Sequence, residues 1–231
     1  MKGKFLLLLV LSIVNYVGAQ AQNCLGATMK VGNGFDMNSY DGKGKLSGTI
    51  SYKIIKVVTE GDMSVMTMEM EVFNPKGKSE LKNSYQIKCN GTTMMVDAST
   101  LINQEQMKSF ENFKMKFTST DIEYPVKLTV GEKLKDASLK GTGSSGPLNI
   151  NINMLISNRN VESQEKVTVP AGDFDAFKII SDMKMETKMG IGMTIDINTV
   201  SWRAPGVLWD VKSESYRKGK LIGRTELAKI Y

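Results

Sequence analysis

From Met66 to Val72 the chain reads Met-Thr-Met-Glu-Met-Glu-Val, with apolar side chains on even positions and polar ones between them. Successive side chains of an extended backbone point to opposite faces, so strict alternation prescribes a strand with one buried face and one wet face. The pattern returns at Leu148-Asn149-Ile150-Asn151-Ile152-Asn153-Met154. It returns again after Ala176, where Phe177, Ile179, Met183, Met185, Met189, Ile191, Met193, Ile195 and Ile197 hold odd positions against lysines, acids and threonine. That run is too long for one strand, and Gly190 and Gly192 are the natural places for a hairpin turn or bulge. Further strands are expected over residues 46–58, 81–89, 92–96, 161–169 and 208–231 with one break. In the 81–89 strand Leu81, Tyr85, Ile87 and Cys89 share a face, which turns Cys89 inward.

Turn chemistry fits this pattern. Tyr40-Asp41-Gly42-Lys43-Gly44-Lys45 is echoed, one residue shorter, by Tyr216-Arg217-Lys218-Gly219-Lys220, and weakly by Asn74-Pro75-Lys76-Gly77-Lys78. Glycine supplies the positive φ of a tight hairpin while the flanking lysines stay in water. A phosphate-cradling loop over residues 34–48 would need a helix after it, and none is expected there. Val169-Pro170-Ala171-Gly172 reads as another turn, with Phe174 and Phe177 re-entering the core, and Trp202 to Trp209 as a hairpin corner around Pro205-Gly206. One segment has helical spacing: Ser99 or Thr100 caps a stripe of Leu101, Ile102, Met107, Phe110 and Phe113, suited to covering a face or mouth of the sheet. Such a cover is either fixed packing or a lid. The expected fold is therefore all-β with one short helix: a large curved antiparallel sheet or open half-barrel.

Lys2 and Lys4 precede an apolar run over residues 5–14, and Ala19 and Ala21 follow in an A-x-A arrangement. This is the layout of a signal peptide over residues 1–21, leaving a single β-rich domain at 22–231. No later stretch reaches 18 apolar residues, so no transmembrane span is expected in the mature chain. The expected destination is the periplasm, the outer-membrane surface or the medium. Cys24, just past the cleavage site, is either an acylated N-terminus or the disulfide partner of Cys89, the one other cysteine. Asn23 before it is a poor lipobox residue, and an oxidising compartment favours pairing.

The 231 residues contain no histidine, which removes Ser-His and Cys-His pairs and histidine-ligated zinc. No catalytic residue, metal site or cofactor is assigned. Without residues 1–21 the chain carries 28 basic and 24 acidic residues, the 30 and 24 of the whole less Lys2 and Lys4. That small excess is interleaved, with no run of five like charges, and aromatics are scattered, so nucleic acid is not an expected partner. Asp173 and Asp175 could form an acid–base pair in a histidine-free hydrolase, yet no helper residue accompanies them and they read as turn residues. Arg159 is expected to pair with a buried carboxylate or a ligand head group.

The 16 methionines are the compositional feature with functional content. Thioether arrays bind Cu(I) in exported proteins, fill the buried face of strands, or line an adaptable apolar cavity. Alternation alone explains their spacing. The candidate ligand-binding face comprises Met66, Met68, Met70, Ile150, Ile152, Met154, Met183, Met185 and Met193, with a lipid or other apolar molecule as the expected ligand. The other reading is an envelope scaffold that touches a protein partner through a sheet edge or the Lys-Gly-Lys turns.

Several motifs in order, namely Cys24, Ser39-Tyr40 with Lys43-Gly44-Lys45, Cys89 before Asn90-Gly91, Tyr124-Pro125 with Leu128, Val130-Gly131, Asn158-Arg159 with Val161-Glu162, Val169-Pro170-Ala171-Gly172 with Phe174, and Trp202 with Pro205-Gly206-Val207, resemble the TapB-like exported proteins. These are related to a domain-of-unknown-function group of periplasmic β-proteins. The resemblance covers essentially all of the chain after residue 21. It implies a strongly curved antiparallel sheet, somewhat like the half-barrel of periplasmic lipoprotein carriers, and transfers no catalytic residue. Leu208 stands where most such sequences have glycine.

Overall fold

The computed structural model describes residues 22–101, 115–145, 147–189 and 191–231. The expected signal peptide, Gly190 and all of the expected helix beyond Leu101 lie outside these residues; its start is a 3-10 turn, Ala98–Leu101. Two short strands, β1 (Gln22–Cys24) and β2 (Ala27–Met29), pair with each other. The others are β3 (Gly34–Asp41), β4 (Leu46–Glu60), β5 (Met63–Phe73), β6 (Ser79–Cys89), β7 (Thr93–Asp97), β8 (Lys116–Ser119), β9 (Asp121–Pro125), β10 (Ala137–Ser145), β11 (Leu148–Val169), β12 (Gly172–Met189), β13 (Ile191–Arg203), β14 (Asp210–Arg217) and β15 (Lys220–Ile230).

These thirteen form one antiparallel sheet in the order β8-β10-β11-β12-β13-β14-β15-β3-β4-β5-β6-β7-β9. Its two edge strands, β8 and β9, are separated in sequence by Thr120 alone. A sheet whose first and last strands are joined by one residue has to roll up until its edges meet. Thr120 fastens the seam: its N–H donates to Ser138 O at 2.9 Å, and its carbonyl accepts from Ala98 N–H at 3.2 Å. The result is a nearly closed barrel, more closed than a half-barrel.

The alternating segments lie where their periodicity requires. In β5, Met66 and Met68 are 0% and 1% exposed. The expected strands 148–154 and 161–169 are one continuous strand, β11, whose pairing with β12 slips between Ser157 and Asn160 and again between Val161 and Ser163. Asn158 has φ 53° at the first slip. Extra residues of this kind bend a long strand so that it follows a curved sheet. β3, β8, β9 and β10 were not evident from the pattern. In β10 (ASLKGTGSS) the glycines mask the period; a Cβ on Gly141 would lie 2.5 Å from Phe117 Cε1, so the bare backbone there makes room for that ring.

The core joins Phe35, Met37, Tyr52, Ile54, Met66, Met68, Ile87, Met94 and Leu227. Cys24 and Cys89 are bonded, 1% and 2% exposed, with Cα atoms 5.9 Å apart, which ties the β1–β2 ribbon to β6. Two Lys-Gly-Lys turns share one geometry. Asp41 Oδ1 accepts from the N–H groups of Lys43 and Lys45, both at 2.9 Å, and Asn74 Oδ1 accepts from those of Lys76 and Lys78 at 3.0 and 3.1 Å. Gly44 and Gly77 take φ 80° and 76°. The third, shorter turn places Lys218 and Gly219 at φ 52° and 73°, the paired left-handed residues of a type I′ hairpin.

Candidate functional site

The nine residues of the proposed apolar face separate into two walls. Met66 and Met68 belong to the closed core, flanked across the ladder by Ile54 and by Tyr85 and Ile87, while Met70 is half-buried between Tyr52 and Asn83. The cleft that reaches Met68, with Phe35, Ile54, Val207 and Leu208, holds about 130 Å³. That is below the roughly 300 Å³ at which drug-sized ligand sites begin. On this wall Met66 and Met68 are covered by the core and Met70 is half-buried.

The other wall is assembled by register across four strands. One row runs Gly141, Ile152, Thr187, Met193; the next Leu139, Met154, Met185, Ile195; the third Ala137, Ile156, Met183, Ile197. Exposure is higher on β12 and β13 than on β10 and β11 in each row. Ile150, Ile152 and Met154 are 1%, 4% and 3% exposed, Met183, Met185, Ile195 and Ile197 are half-buried, and Met193 is 56% exposed. Met193 was expected to point into a buried face. Its parity is right, but β14 pairs with β13 from Asn198 to Arg203, so nothing flanks residues 191–197 on that side among the described residues. An open cleft of about 350 Å³ touches Met193 and Thr187 but is otherwise lined by the opposite, polar face: Asn151, Asn153, Glu186, Lys188 and Thr194.

A layer of charge, Arg159 and Arg203, lies buried inside the barrel. The Tyr124 ring lies between two guanidinium groups, that of Arg203 at 3.8 Å and that of Arg159 at 4.7 Å from its centroid. Arg159 forms no ion pair within 4 Å with a described carboxylate: its nitrogens donate to the carbonyls of Lys135 at 2.6 Å and Glu123 at 3.0 Å, and it acts on the buried Asp210 carboxyl only through space. Arg203 donates to Leu208 O at 3.0 Å and lies 3.5 Å from Asp210 Oδ1, which accepts no hydrogen bond from a described residue. Burial pushes the Asp210 carboxyl above its ordinary range, against the pull of Arg203 and Arg159. Above it, Tyr52 stacks on Phe35 at 4.7 Å and on Trp209 at 5.8 Å, and burial raises the phenols of Tyr52 and Tyr85. Arg159 sits 24 and 36 residues from its carbonyl acceptors, which no residue-type pattern could reveal, whereas Arg203 reaches Leu208 O five residues on.

Asp173 and Asp175 do not form a pair. Asp173 accepts from Thr168 Oγ1 at 2.7 Å and lies 3.1 Å from Lys166 Nζ, bonds that hold its carboxyl below the usual range, whereas Asp175 is exposed. Trp202 is 7% exposed and donates Nε1–H to Glu165 at 2.6 Å. No helix among the described residues is long and apolar enough to cross a membrane.

A protein-family model described as DUF3108-like matches residues 30–227. Among solved structures, the chain is similar to a candidate lipoprotein from Parabacteroides distasonis, with a TM-score of 0.68 and 24% identity, covering 91% of this chain and 100% of that one. It is also similar to a candidate exported protein with YmcC-like fold from Bacteroides fragilis, with a TM-score of 0.61 and 18% identity, covering 87% and 96%. No curated protein matches. The domain-of-unknown-function resemblance is thereby borne out, while neither the family description nor these two structures carries the TapB-like name.

Proposed function

The chain belongs to the DUF3108-like family, and we propose that it is an exported, non-catalytic protein of the cell envelope that holds a lipid or other apolar ligand against the β10–β13 wall. The observation that carries this reading is the unbroken apolar surface from Leu139 and Met154 out to Met185 and Ile195, which passes from fully covered to half-exposed without a polar interruption in that row. Methionine and isoleucine side chains on such a surface adapt to an irregular acyl chain. Export is supported by the signal-like residues 1–21 and by the descriptions of both structural neighbours. Cys24 is in a disulfide, which leaves no thiol to acylate and favours a protein that is exported without a lipid on that residue.

Native mass spectrometry and solvent extraction of the purified protein, with titration of a fluorescent fatty acid, test the reading. A co-purified lipid or saturable uptake is expected, and a Met185→Glu variant abolishes it. An empty protein that takes up no probe contradicts the ligand. A second reading rests on the open edge of β13: an envelope protein adding a strand there would be recovered as one reproducible crosslink in intact cells.

A further inference from the structure

In an antiparallel barrel every second turn falls on the same rim. The registers put the β10–β11, β12–β13, β14–β15, β3–β4 and β5–β6 turns at one end, and the β11–β12, β13–β14, β4–β5 and β6–β7 turns at the other. All three Lys-Gly-Lys turns therefore share one rim, and they do so on neighbouring hairpins, although Lys43 and Lys220 are far apart in sequence. Lys43 and Lys45 stand on the first, Lys76 and Lys78 on the second, and Arg217, Lys218 and Lys220 on the third. All seven are exposed and none forms an ion pair with a described residue. Asp41 accepts the backbone N–H groups of its own turn and offsets part of the charge of Lys43 and Lys45, and Glu80 accepts from Asn74 Nδ2 at 3.0 Å, so the seven cations outnumber these two acids.

The two other hairpins on this rim lack the Lys-Gly-Lys motif. The β10–β11 turn over residues 145–148 has no lysine, and β12–β13 carries, next to Lys188, Met189, Ile191 and Met193, exposed by 48%, 91% and 56%. Leu148 at 51%, Ile222 at 45% and Leu46 at 39% are exposed on the same rim. A soluble domain gains nothing from an isoleucine left in water at a strand reversal, and a purely polyanionic partner offers it nothing. An anionic bilayer surface satisfies both features at once: phosphate head groups meet the lysines, and the acyl boundary receives the apolar tip.

We propose that this rim docks the protein onto an anionic lipid surface, with the lysine turns on the head groups and the β12–β13 tip inserted below them. Each lysine near such a surface contributes about fivefold to partitioning, and salt weakens the attraction. The docking does not require the ligand wall: vesicle binding without fatty-acid uptake would retain docking and remove the ligand, and uptake without vesicle binding would do the reverse.

Both sheets and both cysteines lie within residues 22–231, so protein beginning at Gln22 is the species to assay. Co-sedimentation with phosphatidylglycerol vesicles should exceed that with phosphatidylcholine vesicles and fall as salt rises. Lys76→Gln with Lys78→Gln should lower the partition coefficient about 30-fold; the turn keeps Asn74 and Gly77, and retained circular dichroism checks the fold. Ile191→Trp should report insertion as a blue-shifted emission with phosphatidylglycerol vesicles and no shift with dextran sulfate. Equal binding to both lipids, an unshifted emission from the vesicle-bound Ile191→Trp variant, or binding to dextran sulfate alone would overturn the proposal, the last in favour of a soluble polyanion.

Discussion

Opening the Cys24–Cys89 bond without changing any side chain isolates what that crosslink contributes. The bond joins residues 65 apart in sequence. Chain-entropy arithmetic for a loop of that size gives an entropy loss of about 14–15 cal/mol/K in the unfolded chain, or about 4 kcal/mol at 25 °C. With a urea m-value of about 2–3 kcal/mol/M for a chain of this length, the midpoint should fall by about 1.5–2 M on reduction. Urea titrations of oxidised and reduced protein, followed by the emission of Trp202 and Trp209, measure it. The m-value should rise as well, because an uncrosslinked chain exposes more surface when it unfolds. A midpoint that moves by less than about 0.3 M would refute the reasoning, since the β1–β2 ribbon would then be held equally well by its remaining contacts, such as Gly206 N–H to Leu25 O at 2.9 Å.

Replacing Arg203 with Met removes the cation 3.5 Å from Asp210 and orphans Leu208 O, and should cost about 3–5 kcal/mol by denaturant titration, with part recovered when Asp210→Leu is added. Because the native Asp210 carboxyl is raised above 3.8, the folded protein holds that proton more tightly than the unfolded chain. Its ionisation therefore costs stability as pH climbs from about 3.8 through the raised native value, and Asp210→Asn should gain relative to the parent over that window; a relative loss in urea midpoints measured against pH would contradict the assignment. Met66→Ala should cost about 2–5 kcal/mol and Met193→Ala under about 0.5 kcal/mol, which chemical denaturation separates easily.

The strands with one fully buried face announced themselves. β5, β11 and β12 alternate because each has a dry side and a wet side, and their parity predicted which residues face inward. β10 was illegible because glycines replace the side chains that would have marked its period, the space going to Phe117. Met193 shows the limit of parity: it fixes a direction, whereas exposure depends on how far the neighbouring strand extends, and β14 stops short. Arg159 is held by two backbone carbonyls, partners that leave no trace in residue identity. The basic rim was invisible for a related reason. In sequence no five like charges occur together, and only the register of the sheet brings three distant Lys-Gly-Lys turns to one end.

The ligand wall is tested most directly by photolabelling with a diazirine fatty acid, followed by peptide mapping. Adducts should concentrate on β12 and β13 between Met183 and Ile197, be displaced by unlabelled fatty acid, and spare the Met66–Met70 segment. Labelling that is absent, resists displacement, or falls on Met66 and Met68 would contradict the assignment of the apolar ligand to this wall.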